Sequence, residues 1–353
     1  MMALELPPGV LAQMDARRRA YTWSGEEKTT GAACMVAWDK VTTPKHYGGL
    51  GVQNLRAQNQ CLLLKLLHRL HSATGSSWAH WVRDHADLPT MDGDLAGEHW
   101  SMLRHLLPIY QNLTVVDVGD GATTSFWRDD WLPMGRLSNN LPALYSHCIK
   151  PAAAVRTVIA DGLRAHLVPR LTQTATQDLL VLEGMLNQVV VLTDNPDCRR
   201  SPLIDAVGKL QTMPIYQLLV NAAPSPYADF VWHNHTPPKV QFFIWLLVQD
   251  RIKSRANLLI KHIISDTTCE LCRQGPEDSD HLIFRCGTAT MFWNALGINT
   301  QSAGVERLWE LERPDAIPAQ HFHTFIHLCC WHIWKHRNEV EWHNAVSASN
   351  KLC

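Results

Sequence analysis

The sequence predicts a mainly α-helical fold with one small β-hairpin and a helical, metal-binding domain toward the C-terminal side. Apolar residues recur at helical spacing in one segment after another, and β-branched alternation is confined to one short stretch. Cys and His residues fall in two close pairs between positions 269 and 286.

Taken in chain order, Met14 to Trp23 reads as a basic helix whose Arg17, Arg18 and Arg19 form a solvated face. A loop with Pro44, Gly48, Gly49 and Gly51 follows. From Leu55 to Leu70 the positions Leu62, Leu63, Leu66, Leu67 and Leu70 predict a helix with one buried face, with Asn54 at its N-cap. Thr114 to Val118 alternates as a strand should, Gly119-Asp120-Gly121 signals a tight turn, and Ala122 to Trp127 is expected to return as the second strand. Between Pro151 and Pro214 helical and polar patches alternate, which reads as a linker or an eroded region. Pro237 and Pro238 open a helix whose buried stripe is Val240, Phe243, Ile244, Leu247 and Val248. Further helices are expected from Ser254 to His262, from Ala289 to a stop at Gly297, and from Gln320 to His343. The organisation expected is a helical segment over 1–75, a joining region over 76–150, the linker over 151–226, a metal-binding domain over 227–300 and a C-terminal helix and tail over 301–353.

Composition narrows the function classes. A net charge of −1 argues against a surface coated with positive charge for nucleic acid and leaves room only for local basic patches. The first residues show no secretory signal, and no apolar run approaches the roughly 20 residues of a membrane span. The expectation is an intracellular chain without membrane contact, whose 10 Cys are reduced thiols plus a metal site. Its 14 Trp, including Trp78/Trp81, Trp127/Trp131 and Trp331/Trp334 at spacings that place two indoles on one side of a helix or turn, are expected as packing anchors.

Cys269 and Cys272 form a C-x2-C knuckle, and His281 with Cys286 forms an H-x4-C pair after a short acidic loop containing Gly275 and Pro276. Three thiolates and an imidazole are a tetrahedral donor set for one Zn²⁺, and four protein ligands leave no open position for water. The cation is therefore expected to be structural. The competing reading is three buried reduced thiols and a surface His.

Other constellations point less far. In Tyr227-Ala228-Asp229-Phe230 the second carboxylate needed for two-metal phosphoryl transfer is absent, so a structural loop is expected. Asp129-Asp130 has no third acid at a useful spacing and reads as a turn cap. His323, His327 and Cys330 share a helix face, where a buried amphipathic stripe is preferred over a second metal site. Arg251, Lys253, Arg255 and Lys261 are the candidate contacts to a phosphate backbone, although Glu277, Asp278 and Asp280 lie just beyond. There is no phosphate-binding glycine loop, Ser/His/Asp signature or dinucleotide fingerprint.

Several motifs in a fixed order resemble a known family. Pro237-Pro238-Lys239-Val240, Phe242-Phe243-Ile244-Trp245-Leu246, Arg251-Ile252, Arg255-Ala256-Asn257-Leu258, Cys269-Glu270-Leu271-Cys272, Glu277-Asp278, His281-Leu282 and Cys286 resemble the zinc-binding domain that follows the reverse transcriptase in plant non-LTR (LINE-type) retrotransposon polyproteins. Val36-Ala37-Trp38-Asp39 with Pro44-Lys45 and Gly48-Gly49-Leu50-Gly51 is similar to the stretch after the polymerase. Val118-Gly119-Asp120-Gly121 with Phe126-Trp127 and Trp131 is similar to the joining region, and Trp331-His332-Ile333-Trp334-Lys335 with Arg337-Asn338-Glu339 to the far end. The resemblance implies the same four zinc ligands, supplies no catalytic residue, and implies a module that helps a reverse transcriptase core, supplied by another chain, to hold RNA or DNA. The alternative from another class is an inactive helical remnant that binds no nucleic acid.

Overall fold

The computed structural model describes residues 6–72, 77–94, 97–189, 192–220 and 222–350. Helices dominate and strands are few and short, as the fold class predicted. The chain forms two compact units, one from the residues up to Leu11 with Leu55–Leu219, the other from Ala12–Asn54 with the residues from Val220 onward. This division joins segments distant in sequence.

In the first unit the helix Leu55–His71 packs against Glu98–Asn112 and Thr212–Leu219. Its buried stripe is Cys61, Leu63, Leu64, Leu67 and Leu70. Leu62 and Leu66 are only half-buried, so the apolar face is rotated slightly from the predicted one. Trp78 and Trp81, on the short helix Ser77–His85, are 37% and 49% exposed, whereas Trp127 is fully buried.

The β-hairpin is not where the sequence placed it. Val115–Asp117 pairs antiparallel with Cys198–Arg200 and not with the residues after Gly121, while a separate two-residue hairpin joins Ala86–Asp87 to Asp92–Gly93. The reason is the carboxylate of Asp197. It accepts backbone N–H bonds from Gly119 and Gly121 at 2.8 Å and from Thr123 at 3.0 Å, and the Thr124 hydroxyl at 2.7 Å. Donors committed to that carboxylate cannot form a strand ladder, so 119–124 wraps around Asp197 instead. Burial alone would raise the Asp197 pKa, but these hydrogen bonds outweigh it and hold the carboxyl below its ordinary range.

Asp129 is more than a turn cap. It accepts the Ser125 N–H and meets Arg199 through Nη1 at 2.8 Å and Nη2 at 2.9 Å, with both side chains essentially without solvent contact. The stretch expected as a linker is also folded. Val155, Val158, Leu163, Leu167, Ala175, Leu179 and Leu182 share one core cluster with Phe126, Trp127, Leu137 and Leu144.

The second unit is organised around the helix Pro238–Leu247, which starts with proline in its first turn, as expected. Val240, Phe243, Ile244, Trp245 and Leu247 are buried along it. Trp331 and Trp334, on the long terminal helix Ala319–Asn350, pack on Phe243 with ring centroids 5.3 and 5.6 Å apart. The glycine loop serves this core. Gly48 has φ of 85°, a left-handed conformation, and its carbonyl accepts both Trp245 Nε1 at 2.9 Å and the Tyr227 hydroxyl at 3.2 Å. A Cβ at Gly49 would lie 1.9 Å from the Thr43 carbonyl oxygen, so only glycine fits there. Tyr227 is thereby a structural residue, and Asp229 is an exposed side chain beside His233.

His327 lies on the buried side of the terminal helix, its Nδ1 3.3 Å from Thr236 Oγ1 and its ring edge-on to Phe230. Burial, and then repulsion from His323, push its pKa down to about 3. The folded protein thus prefers neutral His327, so its stabilisation is complete above the unfolded value near 6.5. It is lost as pH falls from there toward 3. Acidification from pH 7 to pH 5 is expected to cost about 2 kcal/mol through this residue. Urea unfolding at the two pH values, on wild type and His327→Gln, checks this: the variant should show a shallower loss, and parallel losses would contradict it.

Candidate metal centre

The candidate ligands are positioned by two short backbone devices. In the first, Thr268 bridges to Pro276, with Cys269 N–H donating to the Gly275 carbonyl at 2.9 Å and Glu277 N–H to Thr267 at 2.7 Å. The knuckle between them closes through Arg273 N–H to the Cys269 carbonyl at 2.8 Å, with Arg273 itself at φ of 54°. In the second, Asp278 Oδ1 accepts the His281 N–H at 2.6 Å and starts a single π-helical turn, His281–Arg285. The wide turn brings Cys286 back toward His281, with its N–H 2.6 Å from the His281 carbonyl. Leu282, Ile283 and Phe284 are buried along this turn, and Trp293 Nε1 donates to the Ile283 carbonyl at 2.7 Å. His281–Arg285 is thus a single wide turn, and the following helix, Gly287–Ala295, begins after Cys286.

These devices bring Cys269, Cys272, His281 and Cys286 together, with one ligand atom of each within 4.8 Å of all the others. Cys269 Sγ and Cys286 Sγ are 4.0 Å apart, and Cys272 Sγ is 3.3 Å from His281 Nε2. A tetrahedral zinc with bonds of about 2.3 Å to sulfur and about 2.05 Å to nitrogen requires S–S edges of about 3.8 Å and S–N edges of about 3.6 Å. The donor set thus fits zinc in chemistry and spacing. Cys269 and Cys286 are fully buried, and Cys272 and His281 are half-buried, so the site lies at the edge of the core.

Without a cation such a cluster is awkward. Burial pushes the Cys269 thiol up to about 12, while hydrogen bonds from the Gln274 backbone N–H and from the neighbouring thiols overcome burial and hold Cys272 below its ordinary value. At neutral pH the metal must displace the Cys269 proton. Zinc uptake at pH 7 is therefore expected to release that proton. Titration calorimetry of the metal-stripped protein in buffers of different ionisation enthalpy checks it, and a buffer-independent heat would contradict it.

The loop also carries an anchor that the sequence did not reveal. Glu277, without solvent contact, meets Arg337 of the terminal helix, with Oε1 2.5 Å from Nη2 and 3.0 Å from Nε. Arg337 also pairs with Glu341. The only sequence hint was that Glu277-Asp278 and Arg337-Asn338-Glu339 both lie in the motifs that carry the resemblance.

The remaining candidates separate. Among the described residues no second group of three or more His, Cys, Asp or Glu side chains converges, and His323, His327 and Cys330 line the packed side of their helix. Arg251, Lys253 and Lys261 face one cleft of about 330 Å³, walled on its other side by Cys34 to Ala37. Arg255 does not join them. Its guanidinium is held by Glu270 at 3.0 Å, Asp266 at 3.5 Å and Glu341 at 3.6 Å, and it is committed to the loop rather than to a ligand. The Cys34 segment was missed because its contribution is a wall of uncharged residues, far from position 251 in sequence.

Comparison with known proteins agrees with this geometry. Residues 211–293, which contain all four candidate ligands, match the family described as zinc-binding in reverse transcriptase. The chain is also similar to a putative ribonuclease H protein of Arabidopsis thaliana, with 23% identity over 321 residues. That alignment covers 83% of this chain and 48% of the relative, so the chain spans about half the length of that protein. No solved structure matches it. Among the described residues no helix is long and apolar enough to cross a membrane.

Proposed function

We propose that the chain is a zinc-pinned, non-catalytic module of a non-LTR retrotransposon-derived reverse transcriptase polyprotein, and that it holds RNA or DNA for a polymerase core on another chain. The observation that carries this reading is the convergence of three thiols and one imidazole inside the region that matches reverse transcriptase zinc-binding sequences. Bound there, one Zn²⁺ per chain supplies structural cross-linking. Its four protein ligands leave no position for a reacting water, so the reading assigns the metal no reaction.

Support for the nucleic-acid part comes from Arg251 and Lys253, exposed cations with no carboxylate in ion-pair reach among the described residues. Filter-binding titration with single-stranded RNA tests it. The expected result is binding that weakens steeply with salt and falls when Arg251 and Lys253 are replaced by Gln, with Arg255→Gln acting instead through loop stability. Absence of binding by the zinc-loaded chain at low salt would contradict the reading and favour an inert helical remnant. Hydrolysis of an RNA–DNA hybrid or primer extension above background would contradict the non-catalytic assignment.

A further inference from the structure

We infer that the nucleic-acid site is composite: a single strand runs along a basic track built half from the segment Arg17 to Cys34 and half from the turn and helix Arg251 to Lys261. The inference rests on the nucleic-acid reading above. Two adjacent concavities of the second unit share Cys34 as a common wall. One, of about 330 Å³, is faced by Arg251, Lys253 and Lys261. The other, of about 460 Å³, is faced by Arg17, Arg19 and Lys28, with Glu27 the sole acid along both.

These cations are available in a way that their neighbours are not. Arg18 is paired with Asp15 and Arg255 with three carboxylates, but Arg17, Lys28, Arg251, Lys253 and Lys261 meet no carboxylate within ion-pair reach among the described residues. Arg19 lies over the Trp38 ring and its buried Nε has no acceptor. Lys261 is half-buried, its ammonium 3.4 Å from the Cys34 carbonyl. Desolvation, and then repulsion from Lys253 and Arg251, hold it below the usual lysine range, and an anion in the cleft relieves the repulsion. A chain with net charge −1 that keeps unpaired cations around two joined clefts is complementary to a polyanion there.

The strand is single because of what borders the track. Leu259, Ile260 and Ile263 are 40%, 74% and 59% exposed beside Lys261, an apolar surface that only unstacked, turned-out bases could cover. A duplex keeps its base faces stacked inward and offers phosphate and sugar, which would meet the cations but leave that apolar surface uncovered. Half of the track lies outside residues 211–293, so the match to zinc-binding regions does not contain it.

The test is fluorescence anisotropy of a labelled 20-nucleotide RNA with the zinc-loaded full chain over a range of salt. Arg17→Gln/Lys28→Gln and Lys253→Gln/Lys261→Gln are each expected to reduce the slope of log K against log salt by about 1.4, two phosphates at about 0.7 each. Glu27→Gln is expected to tighten binding. Unchanged zinc content and circular dichroism verify that the variants are folded. If the wild type binds and the Arg17/Lys28 variant keeps its slope, the composite track is overturned while the nucleic-acid reading stands. If the wild type does not bind, that reading falls, and the track with it. Equal competition by a 20-base-pair duplex would overturn the single-strand assignment.

Discussion

Replacing Cys286 by serine is expected to abolish zinc retention and to destabilise the metal loop from Thr267 to Gly287. Cys286 is fully buried 4.0 Å from Cys269, and its backbone N–H closes the π-turn onto His281, so it is both a candidate ligand and the end of the device that aims the imidazole. A hydroxyl there is a poor zinc ligand and leaves three donors around a cation that requires four. Structural zinc contributes about 10–16 kcal/mol in isolated zinc-finger peptides. Here the burial of Leu282, Ile283 and Phe284 keeps part of the turn in place, so the expected loss is smaller, about 4–6 kcal/mol. That still exceeds the usual range for a point substitution. Hydrogen exchange read by mass spectrometry localises the effect. Peptides spanning 267–287 should lose protection in the variant, and in wild type treated with a chelator, while peptides of the Leu55–His71 helix keep theirs. Equal protection with and without metal would contradict a structural role.

The second large effect is expected at Arg337. Truncating it to alanine leaves the Glu277 carboxylate buried with, among the described residues, only the Arg255 backbone N–H at 3.2 Å to satisfy it, and removing one partner of a buried pair costs about 3–5 kcal/mol. The double variant Glu277→Leu/Arg337→Met should recover most of that loss, because apolar side chains of similar volume carry no desolvation penalty. Chemical denaturation of wild type, Arg337→Ala and the double variant measures it. A double variant no more stable than Arg337→Ala would show that the ion pair itself, and not the stranded charge, carries the energy. Because Glu277 lies within the metal loop, Arg337→Ala should also weaken zinc binding, and the loaded fraction at limiting zinc checks this.

Local signals made much of this architecture legible. Proline at the start of Pro238–Leu247, the helical spacing of Leu63, Leu67 and Leu70, the stop at Gly297 and the C-x2-C…H-x4-C spacing all depend on residues near one another in sequence, and each corresponds to an element or cluster in the structure. What the sequence hid was long-range. Strand Val115–Asp117 finds its partner at Cys198–Arg200 because Asp197 gathers the donors of the intervening turn, and no periodicity encodes a carboxylate nearly eighty residues away. The Asp129–Arg199 and Glu277–Arg337 pairs were hidden for the same reason, since each partner alone reads as an ordinary surface charge. The stretch 151–226 read as a linker because its apolar residues are spread over short helices, each too weakly patterned to stand out until packed together. Arg255 shows the limit of reading charge from sequence. It sits among basic residues in the chain but among acidic ones in space.

The account depends on Cys269, Cys272, His281 and Cys286 closing around one zinc ion. X-ray absorption at the zinc edge on the purified chain, with metal content measured on the same sample, tests this most directly. The predicted result is one zinc per chain, with three sulfur neighbours at about 2.3 Å and one nitrogen at about 2.0–2.1 Å. A first shell of oxygen and nitrogen without sulfur, or a folded chain that retains no zinc, would contradict it.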